Sequence, residues 1–237
     1  MFVKSKCIVL SSVKFGEADL IVRTFTKEVG PISFMLKGVR KSKKGKFKVA
    51  SFQPMTLLEI EFNYRENKNL QYLTEAKVFQ NFHGLQTSFY KSSILMFVAE
   101  VLSNSLKEEA KNKSLFEFVE GFLMQLDKSE KIGNYPIQFC LELSKHLGFY
   151  PSFEKPTDSF FDLLEGSFTS IDVSIYCRSG DEVEYLKSFI STTNFEDIAM
   201  NQALRRDLLH LLQQYFELHI PSYSAPRSLE VIKEVLG

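Results

Sequence analysis

The sequence predicts an α+β protein: an N-terminal five-stranded β-barrel of the OB-fold kind, then an α-helical bundle with a small inserted hairpin. Three observations predict it. The first 80 residues hold short β-branched or alternating runs separated by turn residues. From about Gln86 the apolar residues recur at helical spacing instead. After Pro151 the helical pattern is broken by a stretch with two prolines and a Glu-Gly turn.

The strand signals come in order. KCIVLSSVKF (Lys6–Phe15) is rich in β-branched residues; GEAD is a turn, and LIVRTFT (Leu20–Thr26) follows. KEVG is the next turn, leading into PISFMLKGV (Pro31–Val39). Two more strands are predicted at MTLLEIEFNY (Met55–Tyr64) and LQYLTEAKVF (Leu70–Phe79), with RENKN as the polar loop between them. The alternation in LLEIEF puts Glu59 and Glu61 on one face. Five short strands in about 75 residues suit a small closed barrel, and the OB-fold is its common nucleic-acid-binding form.

Helices are predicted over Tyr90–Leu106, Ser114–Asp127, Asn134–Phe149, Asn201–Ile220 and a short closing stretch, SLEVIKEVL. Ser114 with Glu117 three residues on reads as a capping box, and Gly148 and Pro151 stop the third helix. The expected domains are 1–80, the OB domain, and 81–237, the helical domain, with 151–178 as its insert.

Composition narrows the function. The 237 residues are 44% hydrophobic, with 23 Phe and no Trp, so a Phe-rich core is expected. No apolar run approaches the roughly 20 residues of a membrane span, and the N-terminus does not read as a signal peptide, so a cytoplasmic protein is expected. Net charge is zero, but residues 1–80 hold 15 Lys+Arg against 7 Asp+Glu, +8, and residues 81–237 balance them at −8. Most of the excess lies in KGVRKSKKGKFK (Lys37–Lys48): seven of twelve residues are basic and none is acidic.

Such a run repels itself unless an anion neutralises it, and phosphates do so with salt-sensitive, sequence-independent affinity. Phe34, Phe47 and Phe52 lie close by; Phe34 and Phe52 read as core, Phe47 less clearly so. Gly38 and Gly45 would let the backbone bend around a strand. A solvated loop is the plain alternative.

Enzyme chemistry finds little support. There is no P-loop, GxSxG, HExxH or GxGxxG, and His83, His146, His210 and His219 are scattered. Cys7, Cys140 and Cys177 are distant from one another and form no CxxC pair, so buried reduced thiols are expected. Arg205 and Arg206 stand out in the acidic half as a possible anion or acidic-peptide contact, against ordinary helix-face charge.

The run CIVLSSVKFGEADLIVRTFTKEVGPISFMLKGVRKSKK resembles the opening of the bacterial recombination mediator family RecO. The likeness is carried by Gly16, Glu17, Asp19 and Ile21, then Thr26 and Gly30, then Lys37, Gly38, Arg40 and Lys41. QPMTLLEIEF, LTEAKVF, AEVLSNSLKEEAKNKSLFEFV, HLGFYP and PRSLEVIKEVL extend it over nearly the whole chain.

The resemblance implies a non-catalytic mediator of DNA repair and homologous recombination in the RecF pathway. Such a protein binds single- and double-stranded DNA, anneals complementary strands and docks on the C-terminal tail of single-stranded-DNA-binding protein. With RecR it helps load RecA, and it would work in the cytoplasm at the nucleoid. DNA phosphates would be held by Arg23, Lys37, Arg40, Lys41, Lys43, Lys44, Lys46 and Lys48 with Phe47, and the acidic tail by Arg205 and Arg206. Many members carry two CxxC pairs after the HLGFYP position; here Pro151–Tyr176 has no Cys, so no zinc is expected, and Phe160, Phe161, Leu163 and Phe168 would hold the insert by packing. An RNA- or ribosome-binding OB protein and a pure protein adaptor remain alternatives.

Overall fold

The computed structural model describes residues 1–41, 46–106, 111–153, 158–172 and 174–235. It divides into two compact units: residues 1–87 with 105–127, and residues 88–104 with 128–237. These units cut the chain differently from a boundary at residue 80, because a later helical segment belongs with the strands.

The first unit is built on a six-stranded sheet. Its strands are β1 (Phe2–Phe15), β2 (Asp19–Thr26), β3 (Gly30–Leu36), β4 (Leu57–Asn63), β5 (Leu70–Gln71) and β6 (Leu73–Gln80), in the order β5-β3-β2-β1-β4-β6. β1 is long enough to serve two neighbours: Phe2–Ile8 pairs with β4, and Cys7–Phe15 with β2. A register shift between Val9 and Ser11 bends it between the two tasks.

The one strand expected over Leu70–Phe79 is split at Tyr72. Its first piece, β5, pairs parallel with β3 through Ser33↔Leu70 and Phe34↔Gln71 only; its second, β6, pairs antiparallel with β4. The two edges of the sheet are therefore consecutive pieces of one segment. The sheet curls as an OB-type barrel must, but a continuous ladder does not close it.

The inward face buries Val9, Val22, Phe34, Ile60 and Phe62, and the Phe34 and Phe62 rings meet edge-on at 5.0 Å. Phe34 and Phe52 are core, as expected. Cys7 is fully buried there, and burial pushes its thiol pKa up out of the reactive range.

Helices α1 (His83–Thr87), α2 (Phe89–Ser105) and α3 (Lys113–Lys128) follow. α3 belongs to the sheet unit. Its apolar face buries Leu115, Phe116, Val119 and Leu123, and Phe116 packs on Phe25 of β2 with centroids 5.8 Å apart. Salt bridges flank the contact: Lys6–Glu120 at 2.9 Å, Lys27–Glu117 at 2.8 Å, and Glu28 with both Lys111 and Lys113. The expected Ser114–Glu117 capping box does not form. Asn112, immediately before the helix, caps it instead: its Oδ1 accepts from the Leu115 amide at 2.9 Å.

The second unit gathers α2 with α4 (Tyr135–Leu147), α5 (Asp181–Ser191), α6 (Gln202–His219) and α7 (Leu229–Val235). α4, α5 and α7 all contact α6. Gly148, at φ +88°, ends α4 by donating to the Ser144 and Lys145 carbonyls. α5 lies outside the predicted helices, although Gly180, three acidic residues in its first turn and apolar residues at 183, 186 and 189 announce it.

The insert is a hairpin, as expected, with a third strand added. β7 (Phe160–Asp162) pairs with β8 (Ser167–Thr169) and with β9 (Cys177–Arg178). Phe161, Leu163 and Phe168 are buried, and Phe160 is half-buried. No helix among the described residues is long and apolar enough to cross a membrane.

Candidate nucleic-acid interface

The basic segment leaves the sheet directly after β3. Its first turn is fixed to the β1–β2 turn by backbone chemistry. Gly38 takes φ +67°, and its N–H donates to Asp19 Oδ1 at 2.7 Å. The Arg40 amide donates to the Ala18 carbonyl at 2.9 Å, and Val39 is buried. On the return side the Phe47 ring packs edge-on against buried Phe52, with centroids 6.0 Å apart. Lys48 then leads into a 3-10 turn, Val49–Phe52. Both ends of the loop are thus pinned, and Phe47 is half-buried as one of the pins, so its ring is only partly available for stacking.

Lys37, Arg40, Lys41, Lys46 and Lys48 are all exposed. Lys43, Lys44 and Gly45 lie outside the described residues. Several of the cations meet protein groups. Lys41 Nζ is 2.7 Å from Glu17 Oε2, and Lys46 Nζ is 3.9 Å from Glu75 Oε1. Arg40 Nη1 donates to the Gly16 and Glu17 carbonyls at 3.2 Å each, so this guanidinium also fastens the β1–β2 turn. Lys37 Nζ lies 5.5 Å above the ring of exposed Tyr72. Sequence reading passes over Tyr72. Its signal is structural: it is the residue at which the strand breaks.

The neighbouring sheet surface carries no surplus charge. Cross-strand register places Lys4 beside Glu61 and Glu61 beside Glu75, and Lys6 beside Glu59 and Glu59 beside Lys77. Three cations and three anions share the surface, so that face of β1, β4 and β6 holds no field for a polyanion. Glu59 and Glu61 do share a face, as the alternation indicated. The positive excess of the unit is therefore local to the loop.

Arg23 is not brought to the loop. It is half-buried on β2, opposite Ser33 of β3, and its Nη2 donates to the Leu106 carbonyl at 3.3 Å. It lines a cleft of about 410 Å³ beside the start of β3, the end away from Lys37.

In the second unit the two arginines diverge. Arg205 is half-buried. Its Nε donates to Asn134 Oδ1 at 3.3 Å and its Nη2 to the Met200 carbonyl at 3.0 Å, so it ties the start of α6 to the approach to α4. Burial lowers its pKa from the ordinary arginine value. Arg206 is exposed, with Nε 3.3 Å from Asp207 Oδ1.

The described part of the insert is organised around hydrogen bonds to a carboxylate. Its one thiol, Cys177, donates to Asp162 Oδ2 at 3.7 Å, and no group of three His, Cys, Asp or Glu gathers among the described residues. The Asp162 carboxylate is instead a hydrogen-bond hub. It also accepts from the Leu164 amide at 2.8 Å, the Glu165 amide at 3.2 Å and the Ser174 hydroxyl at 3.1 Å. Sequence reading misses Asp162 because its partners are a turn and a strand 12 to 15 residues away.

A curled OB-type sheet whose excess of positive charge lies in one loop pinned at both ends, joined in the same chain to a helical unit, defines an OB-type protein with a local basic site. The chain belongs to the recombination protein O family: residues 1–82 match its N-terminal part and residues 86–229 its C-terminal part. It is 42% identical, over the whole of both chains, to the DNA repair protein RecO of Christiangramia forsetii. It is 35% identical to that of Flavobacterium psychrophilum over the whole of both chains, and 33% identical to that of Bacteroides fragilis over 99% of each.

Proposed function

We propose that this chain is a DNA repair and recombination mediator, without catalytic chemistry of its own, that binds single- and double-stranded DNA and anneals complementary strands. With RecR it helps load RecA on DNA coated with single-stranded-DNA-binding protein, at the nucleoid. The observation that carries the reading is the pinned basic loop beside a charge-balanced sheet face. Phosphates of either strand replace the loop's bound counterions, whose release supplies the affinity. Two strands held at one positive surface no longer repel each other fully, so pairing proceeds with no bond made or broken by the protein. Lys37, Lys41, Lys46 and Lys48 with Lys43 and Lys44 hold phosphate, Tyr72 and the free edge of Phe47 offer ring faces, and Arg40 contributes charge while fastening its turn.

The acidic tail of the single-strand binder would meet the helical unit at Arg206, the exposed member of the arginine pair, with Arg205 setting the local backbone. The insert keeps its shape without zinc, through Asp162 and the packed phenylalanines.

A salt titration tests the reading. The wild type is expected to bind single-stranded DNA with a steep negative slope of log affinity against log salt. Changing Lys41, Lys43, Lys44 and Lys46 to Glu is expected to abolish annealing at low salt and to flatten that slope by about 3, since each phosphate no longer neutralised accounts for roughly 0.7. Normal annealing by this variant, or a clear preference of the wild type for RNA, overturns the proposal.

The same geometry predicts a gain of function. Glu17 occupies the Lys41 ammonium as a phosphate would, so Glu17→Gln is expected to raise affinity for both DNA forms about two- to fivefold at low salt, an advantage that high salt removes. Fluorescence anisotropy at two salt concentrations checks it.

A further inference from the structure

The cleft beside β3 is a second constellation that the loop does not use. It is shaped by a locked segment. The buried side chain of Gln71 donates to the Arg65 and Lys68 carbonyls at 2.8 and 2.6 Å and accepts from the Arg65 amide at 3.1 Å, which fixes the turn between β4 and β5. Across from that turn, β3 pairs with β5 only at Ser33 and Phe34, so Pro31 and Ile32 border the cleft with no β5 residue beside them there.

The lining is chemically mixed in a specific way. Tyr64, half-buried, stands on the Phe62 ring at 6.3 Å and walls both this cleft and the adjoining one at Met1. Exposed Lys68 brings a positive charge, Arg23 lines the cleft while donating to the Leu106 carbonyl, and Glu66 and Asn69 bring an acceptor and an amide. One unpaired nucleotide offers a partner to the ring and to the exposed groups: its base to the aromatic face, its phosphate to the Lys68 ammonium, its Watson–Crick edge to the acceptor and amide. A duplex cannot use such a site, because its bases are stacked and their faces closed.

We infer that this cleft takes a single unpaired nucleotide of a DNA strand, stacked on Tyr64 with its phosphate at Lys68. The inference rests on the DNA-binding reading above and deepens it. The cleft sits at the start of β3 and the basic loop leaves its end, about 20 Å away over seven extended residues. The loop attracts any phosphate chain; the cleft admits only a strand with free bases. Together they let the protein hold DNA of both kinds yet distinguish the unpaired strand.

The test uses the full chain with fluorescein-labelled dT20 and a duplex of equal length. Tyr64→Leu is expected to weaken dT20 binding about tenfold, the worth of one stacked base, and to leave duplex binding within about twofold. Tyr64→Phe keeps the ring and is expected to bind as the wild type. Lys68→Gln, at an exposed position, is expected to lower the dT20 salt slope by about 0.7 with no change in the duplex slope; it carries the test should Tyr64→Leu fail to fold. Equal losses for both DNA forms in these variants, or no loss for dT20, overturn the cleft while leaving the loop reading intact. Failure of the wild type to bind either form overturns both.

Discussion

Phe116→Ala is expected to lower the unfolding free energy by about 3–5 kcal/mol, measured by urea denaturation followed by far-UV circular dichroism. Phe116 is fully buried on α3 and its ring meets Phe25, itself fully buried, on β2. The substitution removes a whole ring from a site walled by a sheet and a helix, and neither wall can collapse into the gap without breaking backbone hydrogen bonds. Phe118, half-buried on the same helix, supplies the control: Phe118→Ala is expected to cost clearly less. A loss below about 1 kcal/mol for Phe116→Ala would mean that α3 does not cover the sheet in solution. The flanking salt bridges cannot substitute for the ring, since exposed pairs such as Lys27–Glu117 contribute little once salt screens them.

That α3 covers the strands is also where sequence reading stops. Its 3.6-residue period shows that one face is buried but not what buries it. Proximity in sequence groups it with the helices after residue 81, whereas its packing places it with β1 and β2. The strand runs, their turns and the basic loop are legible because each depends on neighbours in sequence: β-branched runs, Gly-containing turns, a run of like charge. Features that depend on distant partners are not. Tyr72 and Tyr64 gain meaning only from the split of the last strand and from the turn that Gln71 locks. Arg23 and Arg205 read as charges, yet each donates to a backbone carbonyl and is half-buried. Asn112 displaces Ser114 as the α3 cap because the helix begins at Lys113, a choice local propensity alone does not decide.

Asp162 supports the second large effect, and it combines stability with pH. Residues of the insert lack the cysteine pairs that would let a metal cross-link its strands, and the buried carboxylate takes that place by joining β7 to its own turn, to Ser174 and to Cys177 of β9. Burial alone would push its pKa up, but the four donors outweigh that and hold it below the usual carboxylate value. A depressed folded-state pKa means that the unfolded chain takes up the proton first. The stabilisation is therefore complete at neutral pH, fades as pH falls through the ordinary aspartate value near 4, and is gone below the depressed folded value.

Asp162→Asn keeps the size of the side chain but gives up the charge and turns an NH₂ group toward donors. It is expected to cost about 2–3 kcal/mol at pH 7, because buried donors lose a charged acceptor. The decisive measurement is the difference in melting temperature between wild type and Asp162→Asn across pH 7 to 3. It should be largest at neutral pH and shrink toward zero on acidification. A difference that persists unchanged at pH 3 would assign the loss to packing and remove the carboxylate from its role. Added zinc is expected to shift neither melting curve, because the described residues set only one thiol and one carboxylate together where a tetrahedral site takes four ligands.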